Sequence, residues 1–218
     1  RYFVYLKEDW FRNEAQERAL GTESAGGDYA IDNTPTYFCR KYAYHKDVFE
    51  EDRANADDPL TPDIDSVEFV TDKLLLRREI EWAQNFFRPG IWGFEYSGAS
   101  SNPTGNQFLQ WNDPNSDPIR DITTFATNIQ EATGKRPNRL VIGQRVFDAL
   151  KNHPDILDRI KYTQKGIVTT DLLASLFEVD QVLVAGAIKN SAAKGLPADM
   201  KFIFGSNALL CYTVDRPS

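Results

Sequence analysis

The architecture of this chain follows from residues 61–89, which read TPDIDSVEFVTDKLLLRREIEWAQNFFRP. Thr61 stands where a helix N-cap is expected, and Pro62 fits the first helical position. Apolar residues then recur at helical spacing, at Ile64, Val67, Val70, Leu74, Leu75, Leu76, Ile80, Ala83 and Phe87. A proline and a glycine end the pattern. The spacing predicts a helix over residues 62–87 of about seven turns, which is long beside the average of ~11–12 residues.

Upstream of this helix, two aromatic runs enclose a polar stretch that contains glycines. The runs Arg1–Leu6 and Thr36–Tyr44 approach a two-residue period, which is typical of strands. We therefore predict a long hairpin over residues 1–47. Residues 10–35 are poor in core-forming side chains, so we expect them to project and to rest on a neighbouring molecule. An acid-rich connection over residues 48–59 leads to the helix.

Downstream of the helix, helix and strand signals alternate. Residues 89–116 are rich in Gly, Ser, Asn and Pro but carry aromatic side chains, which indicates a loop pinned to a surface. The predicted elements after it are a helix from Asp117 to Gly134, a strand over Arg139–Ile142, short helices at Val146–Leu150, Ile156–Ile160 and Thr170–Phe177, and strands at Val182–Ala185, Lys201–Phe204 and Ala208–Val214. This part is predicted to be an α/β domain of mixed strand direction, with a loop at residues 187–198.

Composition restricts the class of protein. The 218 residues carry 25 Lys and Arg against 32 Asp and Glu, and the net charge of -7 argues against a main role in neutralising nucleic-acid phosphates. No apolar run approaches the roughly 18–20 residues that span a bilayer, so no membrane partner is expected. Cys39 and Cys211 lie in apolar stretches far apart, and we predict buried free thiols. Because the chain starts at Arg1 and its single methionine is Met200, we expect that its first residue is not the start of translation.

The sequence offers few of the groups that an enzyme needs. Its two histidines, His45 and His153, belong to no HxxxH, HExxH or CxxC pattern, so surface or helix-capping roles are favoured. The glycines form neither GxGxxG nor a Walker A loop. We therefore predict no catalytic residue, no cofactor and no metal, and a stand-alone α/β enzyme domain is kept as the less favoured alternative. Glu79 is singled out because it borders the apolar stripe of the long helix, where it needs solvent or a cation from another subunit.

Several segments in order resemble the major capsid proteins of tailed bacteriophages. These are YFVYLKEDWFRNEAQERALGTESAGGDYAI from residue 2, YFCRKYAYHKDVFEEDRANADDP from residue 37, DKLLLRREIEWAQNFF from residue 72, WNDPNSDPIRDI from residue 111 and GKRPNRLVIGQRVFDALKNHPDILDRIKY from residue 134. The resemblance covers nearly all of the chain. It is to the branch related to the lambda major head protein, and it implies the HK97-like capsid fold.

This resemblance implies an α+β architecture in three parts. They are an extended hairpin loop over residues 1–47, a peripheral domain over residues 48–116 with its spine helix at 62–87, and a mixed α/β axial domain over residues 117–214. An N-terminal arm and a final C-terminal part of the family pattern are expected to be missing. An encapsulin-like nanocompartment shell, which has a similar fold, is the main alternative.

The implied function is that of a major capsid protein that self-assembles into pentamers and hexamers of an icosahedral shell around double-stranded DNA. The implied partners are other copies of the chain, with scaffold, portal and decoration proteins, and the implied location is the virion after assembly in the host cytoplasm. Binding to the enclosed DNA is not expected to be sequence-specific. The loop at residues 187–198 is predicted at the capsomer axis, where Lys189, Ser191, Lys194 and Gly195 are the candidate intersubunit residues because small side chains let equivalent loops approach.

Overall fold

The computed structural model describes residues 2–15, 26–161 and 167–214. The chain divides into two compact units, Arg1–Ala43 and Tyr44–Ser218. The first unit is small and is built around one antiparallel strand pair. The second unit contains the long helix, a three-stranded sheet and the main hydrophobic core.

The first unit is held by a two-residue strand pair and by aromatic contacts. Strand β1 (Val4–Tyr5) pairs antiparallel with β2 (Ile31–Asp32), and helix α1 (Lys7–Trp10) follows β1. The ring of Tyr5 lies 5.7 Å from the rings of both Trp10 and Tyr29, measured between centroids. None of the residues described in this unit is buried. The unit therefore has local order without a core.

The prediction of a second strand in the hairpin is wrong. Thr36–Tyr44 forms no strand, and the partner of the first arm is instead β2, five residues earlier in the chain. As a strand, this run would present aromatic side chains on both faces. Such a strand is stable only when both of its faces are covered. Part of the predicted tip, residues 16–25, lies outside the described residues.

The second unit begins with the short helix α2 (Glu50–Ala54) and the long helix α3 (Pro62–Phe86), which agrees with the prediction within one residue. Thr61 occupies the N-cap position of α3, but its side chain does not cap the helix; its hydroxyl lies 3.5 Å from a carboxylate oxygen of Asp65. The last helical hydrogen bond runs from Phe87 N–H to the carbonyl of Ala83.

Aromatic side chains pin the loop after α3, as the sequence predicts. The loop contains a short parallel pair, β3 (Ser97–Ala99) and β4 (Gln107–Leu109). Tyr96 stacks on Phe125 with ring centroids 4.0 Å apart, and Phe108 lies 5.2 Å from Trp111. These contacts attach an otherwise polar loop to the core of the unit.

A mixed three-stranded sheet organises the rest of the second unit. The remaining elements are α4 (Pro118–Thr133), β5 (Arg139–Gly143), α5 (Gln144–Lys151), α6 (Pro154–Ile160), α7 (Thr170–Leu176), β6 (Gln181–Ala185), β7 (Ile188–Asn190), β8 (Met200–Phe202) and β9 (Ala208–Cys211). The strand order is β6-β5-β9, with β6 parallel and β9 antiparallel to the central β5. Mixed strand direction is thus confirmed. Gly134 ends α4 in the left-handed conformation at φ 68°, which glycine adopts at little cost.

The hydrophobic core lies on one face of this sheet. It contains Trp111, Ile119, Ile122, Leu140, Ile142, Val146, Leu150, Ile156, Ile160, Val168, Leu173, Ala174, Phe177, Val179 and Val182. Along β5 and β6 the buried residues alternate with Val141 and Leu183, which point to the other face and are only partly covered. The central strand ends at Gly143, where an added Cβ would collide with the carbonyl oxygen of Gly205. That close approach requires glycine.

The predicted loop at residues 187–198 is partly a strand. β7 and β8 pair antiparallel with Lys189 opposite Lys201, so the segment is a hairpin whose turn is residues 191–199. The sequence prediction missed β7 because only its first residue is apolar. The turn itself is on the surface, as predicted.

Candidate functional site

The described part of the chain holds no group of three or more His, Cys, Asp or Glu side chains that could bind a metal ion. None of the helices in residues 2–15, 26–161 and 167–214 is long and apolar enough to cross a membrane. The features that stand out are instead a buried histidine, a buried tryptophan that bonds to a carboxylate, two clefts beside α3 and extended apolar surfaces.

His153 is a buried helix cap and not a surface residue. Its side chain is 2% exposed, and Nδ1 accepts a hydrogen bond from Asp155 N–H at 3.2 Å at the start of α6. The Ser116 hydroxyl donates to the carbonyl of Asp113 at 2.8 Å, so its oxygen accepts from Nε2 of His153 at 3.0 Å. These contacts require the tautomer with the proton on Nε2. His153 therefore joins the loop before α4 to α6, which explains it as a structural residue.

Trp111 and Asp121 form a second link between this loop and α4. The indole N–H of Trp111 donates to a carboxylate oxygen of Asp121 at 3.0 Å. Burial raises the pKa of Asp121, and the hydrogen bond from Trp111 opposes that rise only in part. The sequence marked this segment as distinctive, but it gave no sign that Trp111 pairs with Asp121.

The prediction of two buried thiols is wrong for one cysteine. Cys39 is exposed, whereas Cys211 is partly covered at the end of β9. Burial raises the pKa of the Cys211 thiol, so this group is less acidic than a free cysteine. The exposure of Cys39 follows from the absence of a strand around it, because no sheet covers its side.

Glu79 lines a cleft of about 350 Å³ beside the open face of the sheet. The cleft is bordered by Arg78, Glu79, Trp82, Val141, Leu183, Val184, Ala185 and Phe204. Within the described residues, Glu79 makes no ion pair. Its role as an intersubunit residue stays a prediction.

The other four candidates, Lys189, Ser191, Lys194 and Gly195, lie together on the β7–β8 hairpin. Ser191 donates to the backbone carbonyl and to the carboxylate of Asp199, both at 3.0 Å. Gly195 sits in the turn with φ +93°, a conformation that favours glycine. Lys194 is exposed in the turn, and Lys189 is half-buried at the base of the hairpin.

Two residues that sequence reasoning did not select hold the turn of this hairpin. The side-chain oxygen of Asn190 accepts hydrogen bonds from the backbone N–H groups of Ala192 and Asp199, each at 3.0 Å. Hydrogen bonds from Lys201 and then from Ser191 lower the pKa of Asp199. An asparagine at the start of a turn was a usable signal, because its side chain commonly bonds to backbone two residues onward.

Helix α3 exposes much of its apolar stripe. Ile64, Val67 and Leu74 lie at spacings of three and seven residues, so they share one face of the helix, and all three are exposed. Only Ser66 and Ala83 of the helix are buried. An apolar face of this length, uncovered in a single chain, indicates a surface that contacts another molecule.

The unit Arg1–Ala43 is also apolar and uncovered. Its exposed large hydrophobic residues are Tyr2, Phe3, Val4, Tyr5, Leu6, Trp10, Phe11, Tyr29, Ile31, Tyr37, Phe38 and Tyr42. Phe38 is 88% exposed. Such a concentration of aromatic side chains is typical of the centre of a protein interface.

Comparison with known proteins gives consistent relatives. Residues 106–188 match the family described as phage major capsid protein E. The major capsid protein of Burkholderia phage BcepMu is 34% identical over 147 residues, which are 67% of this chain and 45% of the relative. The major capsid protein of Pseudomonas phage JBD67 is 28% identical over 167 residues, which are 76% of this chain and 51% of the relative.

The fold has a relative of known structure. The crystal structure of a phage-related protein from Bordetella bronchiseptica RB50 matches with a TM-score of 0.65 and 27% identity, over 93% of this chain and 63% of that chain. The fold is therefore mixed α+β and is consistent with a phage capsid-related fold. The chain is related to the major capsid proteins of tailed bacteriophages, as its sequence predicts. It spans about half the length of the two curated relatives that it matches.

Proposed function

We propose that the protein is a major capsid protein whose copies assemble into the pentamers and hexamers of an icosahedral shell that encloses double-stranded DNA. The observation that carries the proposal is the exposed apolar surface of Arg1–Ala43 and of α3. The relation to phage major capsid proteins supplies the kind of partner, namely other copies of the same chain.

The number of exposed aromatic residues favours a permanent interface. Burial of apolar surface contributes roughly 25 cal/mol per Å², so a partner that covers these aromatic residues would be bound strongly. Obligate interfaces between identical subunits are more apolar than transient ones and resemble a domain core cut in half. A shell in which every subunit meets several others would cover both surfaces.

The HK97-like organisation is part of the proposal. Residues 1–47 act as an extended loop that reaches a neighbouring subunit, residues 48–116 form a peripheral domain along α3, and residues 117–214 form an axial domain. The role is structural and without catalysis, the location is the virion, and assembly takes place in the host cytoplasm. Scaffold, portal and decoration proteins are the further partners that such a shell requires.

The β7–β8 hairpin is proposed to lie at the five-fold or six-fold axis of a capsomer. Its turn is exposed and carries small residues at Ser191, Ala193 and Gly195, which allow equivalent turns to approach closely. Insertion of several residues after Ala193 should leave the subunit folded, because the turn makes no core contact. The same insertion should give defective capsomers by electron microscopy, and normal capsids would refute the placement.

The decisive test of the function is negative-stain electron microscopy of the expressed full-length protein. Closed particles of uniform size are the expected result. The contents of the particles then decide between kinds of shell, because protected DNA supports a viral capsid and a packaged enzyme would indicate a nanocompartment. A monomer that remains monomeric at high concentration and binds a small ligand would overturn the proposal.

A further inference from the structure

A basic cleft lies where the end of α3 meets the β7–β8 hairpin. It has a volume of about 520 Å³ and is lined by Ile80, Ala83, Gln84, Asn85, Phe87, Arg88, Lys189 and Ile203. Two of these residues, Arg88 and Lys189, are cations, two are amides and none is acidic. The cleft therefore has the composition of an anion-binding site.

The two cations of this cleft have no acidic partner in the described chain. Neither Arg88 nor Lys189 takes part in any ion pair found among residues 2–15, 26–161 and 167–214. The C-terminal end of α3 supplies a negative dipole equivalent to about half an elementary charge. Half a charge offsets only part of two full positive charges, so the cleft stays positive.

An acidic segment with complementary properties lies at the opposite end of the same helix. Residues 47–58 read DVFEEDRANADD and hold six carboxylates and one arginine. The arginine, Arg53, is already paired with Asp63 at 2.8 Å. Helix α2 buries none of its residues, so Glu50, Glu51 and Asp52 are displayed on the surface.

The acidic segment cannot reach the basic cleft within one chain. Arg53 holds α2 against Asp63 in the first turn of α3, and Arg88 lies just beyond the last turn. The 25 residues of α3 separate these two points by about 37 Å at ~1.5 Å per residue. An ion pair is effective only at about 4 Å, so the acidic partner of the cleft must come from another molecule.

We propose that the cleft of Arg88 and Lys189 binds the carboxylates of Glu50, Glu51 and Asp52 from a second copy of the chain. The contact joins the end of α3 in one copy to its beginning in the next, and it is therefore heterologous. Head-to-tail contacts of this type close into rings when the rotation between copies allows it. The inference rests on the proposed shell function and adds to it the charged contact that sets the direction of the subunits.

The second copy is favoured over nucleic acid as the source of the anion. The chain carries a net charge of -7, so it lacks the surplus of Lys and Arg that proteins use to bind a phosphate backbone. The acidic segment, in contrast, is present once for every cleft. Because there is one acidic segment for every cleft, each cleft in a closed ring of identical subunits can bind one segment.

A charge-swap experiment in the full-length protein tests the contact. The double variant Arg88→Glu and Lys189→Glu should raise the subunit concentration needed for half-maximal assembly by at least about tenfold, as for close charge pairs at other interfaces. Adding Glu50→Lys and Glu51→Lys should restore assembly, because the signs are then exchanged on both sides. A matched control, Lys151→Glu and Arg159→Glu on α5 and α6, makes the same change of charge away from the cleft and should assemble normally.

Chemical cross-linking locates the contact directly. A carbodiimide, which joins an amine to a carboxylate at contact distance, should link Lys189 to Glu50, Glu51 or Asp52. Particles assembled from a mixture of 14N- and 15N-labelled subunits should show by mass spectrometry that this link joins different copies.

The outcomes separate this inference from the proposed function. Absence of wild-type particles would refute the shell function. Wild-type particles with no link between copies, failure of the charge swap to restore assembly, or equal loss in the control would overturn the contact alone. Normal assembly of the Arg88→Glu and Lys189→Glu variant with reduced retention of DNA would identify phosphate as the anion and would also overturn it.

Discussion

The two units of this chain differ in what makes them stable. The sheet of the second unit buries Leu140, Ile142 and Val182 on one face, beneath four helices whose capping groups are largely satisfied. The unit Arg1–Ala43 contains a two-residue strand pair and a four-residue helix, with no buried residue among those described. The first arrangement is sustained by its own core, whereas the second has none, and we propose that another molecule covers its apolar surface.

Under the proposed function, this difference separates residues that determine folding from residues that determine assembly. Substitutions in the core of the second unit should lower the free energy of unfolding of a single subunit. Substitutions of exposed aromatic residues in Arg1–Ala43 should leave that free energy nearly unchanged and should act on particle formation instead. Stability and assembly, measured on the same variants, test the separation.

The largest effect is expected at the centre of the sheet. Ile142 is 0% exposed on β5, and Ile142→Ala should lower the free energy of unfolding by about 2–5 kcal/mol because it removes buried methyl groups and leaves a cavity. Urea unfolding followed by circular dichroism measures this loss. Leu183→Ala, on the open face of the neighbouring strand, is the matched control and should cost less than about 1 kcal/mol. Equal losses at both positions would mean that the open face is buried.

A smaller effect is expected at the histidine that joins the loop to α6. His153→Leu removes the acceptor of Asp155 N–H and the donor to Ser116, so it should cost about 1–3 kcal/mol. His153→Asn keeps an oxygen that can cap the helix and should recover part of this loss. The exposed His45 is the control, and His45→Leu should change the free energy of unfolding by less than about 0.5 kcal/mol. A result in which His153→Leu is as stable as the parent would contradict the capping role.

The sequence was sufficient to predict the elements whose capping residues and apolar spacing indicate the same boundaries. Helix α3 was predicted within one residue because its proline start, its apolar spacing and its terminal proline all point to the same boundaries. Helix α4 was predicted equally well, since Asp117 caps it by accepting from Arg120 N–H at 2.9 Å and Gly134 ends it. The mixed sheet also followed from its apolar runs.

The sequence was insufficient where structure depends on distant partners. The pairing of β1 with Ile31–Asp32 could not be read from periodicity, because that strand is only two residues long. Nothing near His153 in sequence indicates that Ser116, 37 residues earlier, covers it. The basic cleft joins residues of α3 to Lys189, about 100 positions away, so only the fold brings them together. Glu79 was selected from its own neighbours, and its partner stays a prediction.

The dependence of stability on pH tests the half-buried carboxyl of Asp121 in the second unit. Burial raises the pKa of Asp121 in the folded state. The folded state therefore binds a proton more tightly than the unfolded state, and stability should fall as pH rises from about 3.9, the usual value for Asp, through the raised folded value. Asp121→Asn removes this titration while its side-chain oxygen can still accept from Trp111. Relative to the parent, the variant should gain stability across this range, and parallel curves of unfolding free energy against pH would contradict the assignment.

The smallest effect on stability is expected at Phe38, in the unit without a core. Its side chain is 88% exposed, so Phe38→Ser removes almost no buried area and should change the free energy of unfolding of the unassembled subunit by less than about 0.5 kcal/mol. The same substitution should strongly reduce particle yield of the full-length protein, because an exposed aromatic residue of this size is typical of an interface centre. Particle yield by electron microscopy and unfolding by urea would be measured on the same preparation.

Particle yield and the free energy of unfolding are compared because neither quantity alone distinguishes a folding defect from an assembly defect. Phe38→Tyr is the matched control: it keeps the ring and adds one hydroxyl, so both readouts should stay near those of the parent. A large loss of stability in Phe38→Ser would show that this residue packs within its own subunit. Unchanged particle yield would show that the aromatic surface of Arg1–Ala43 is not covered by a neighbour, and the dependence of this unit on assembly would then be refuted.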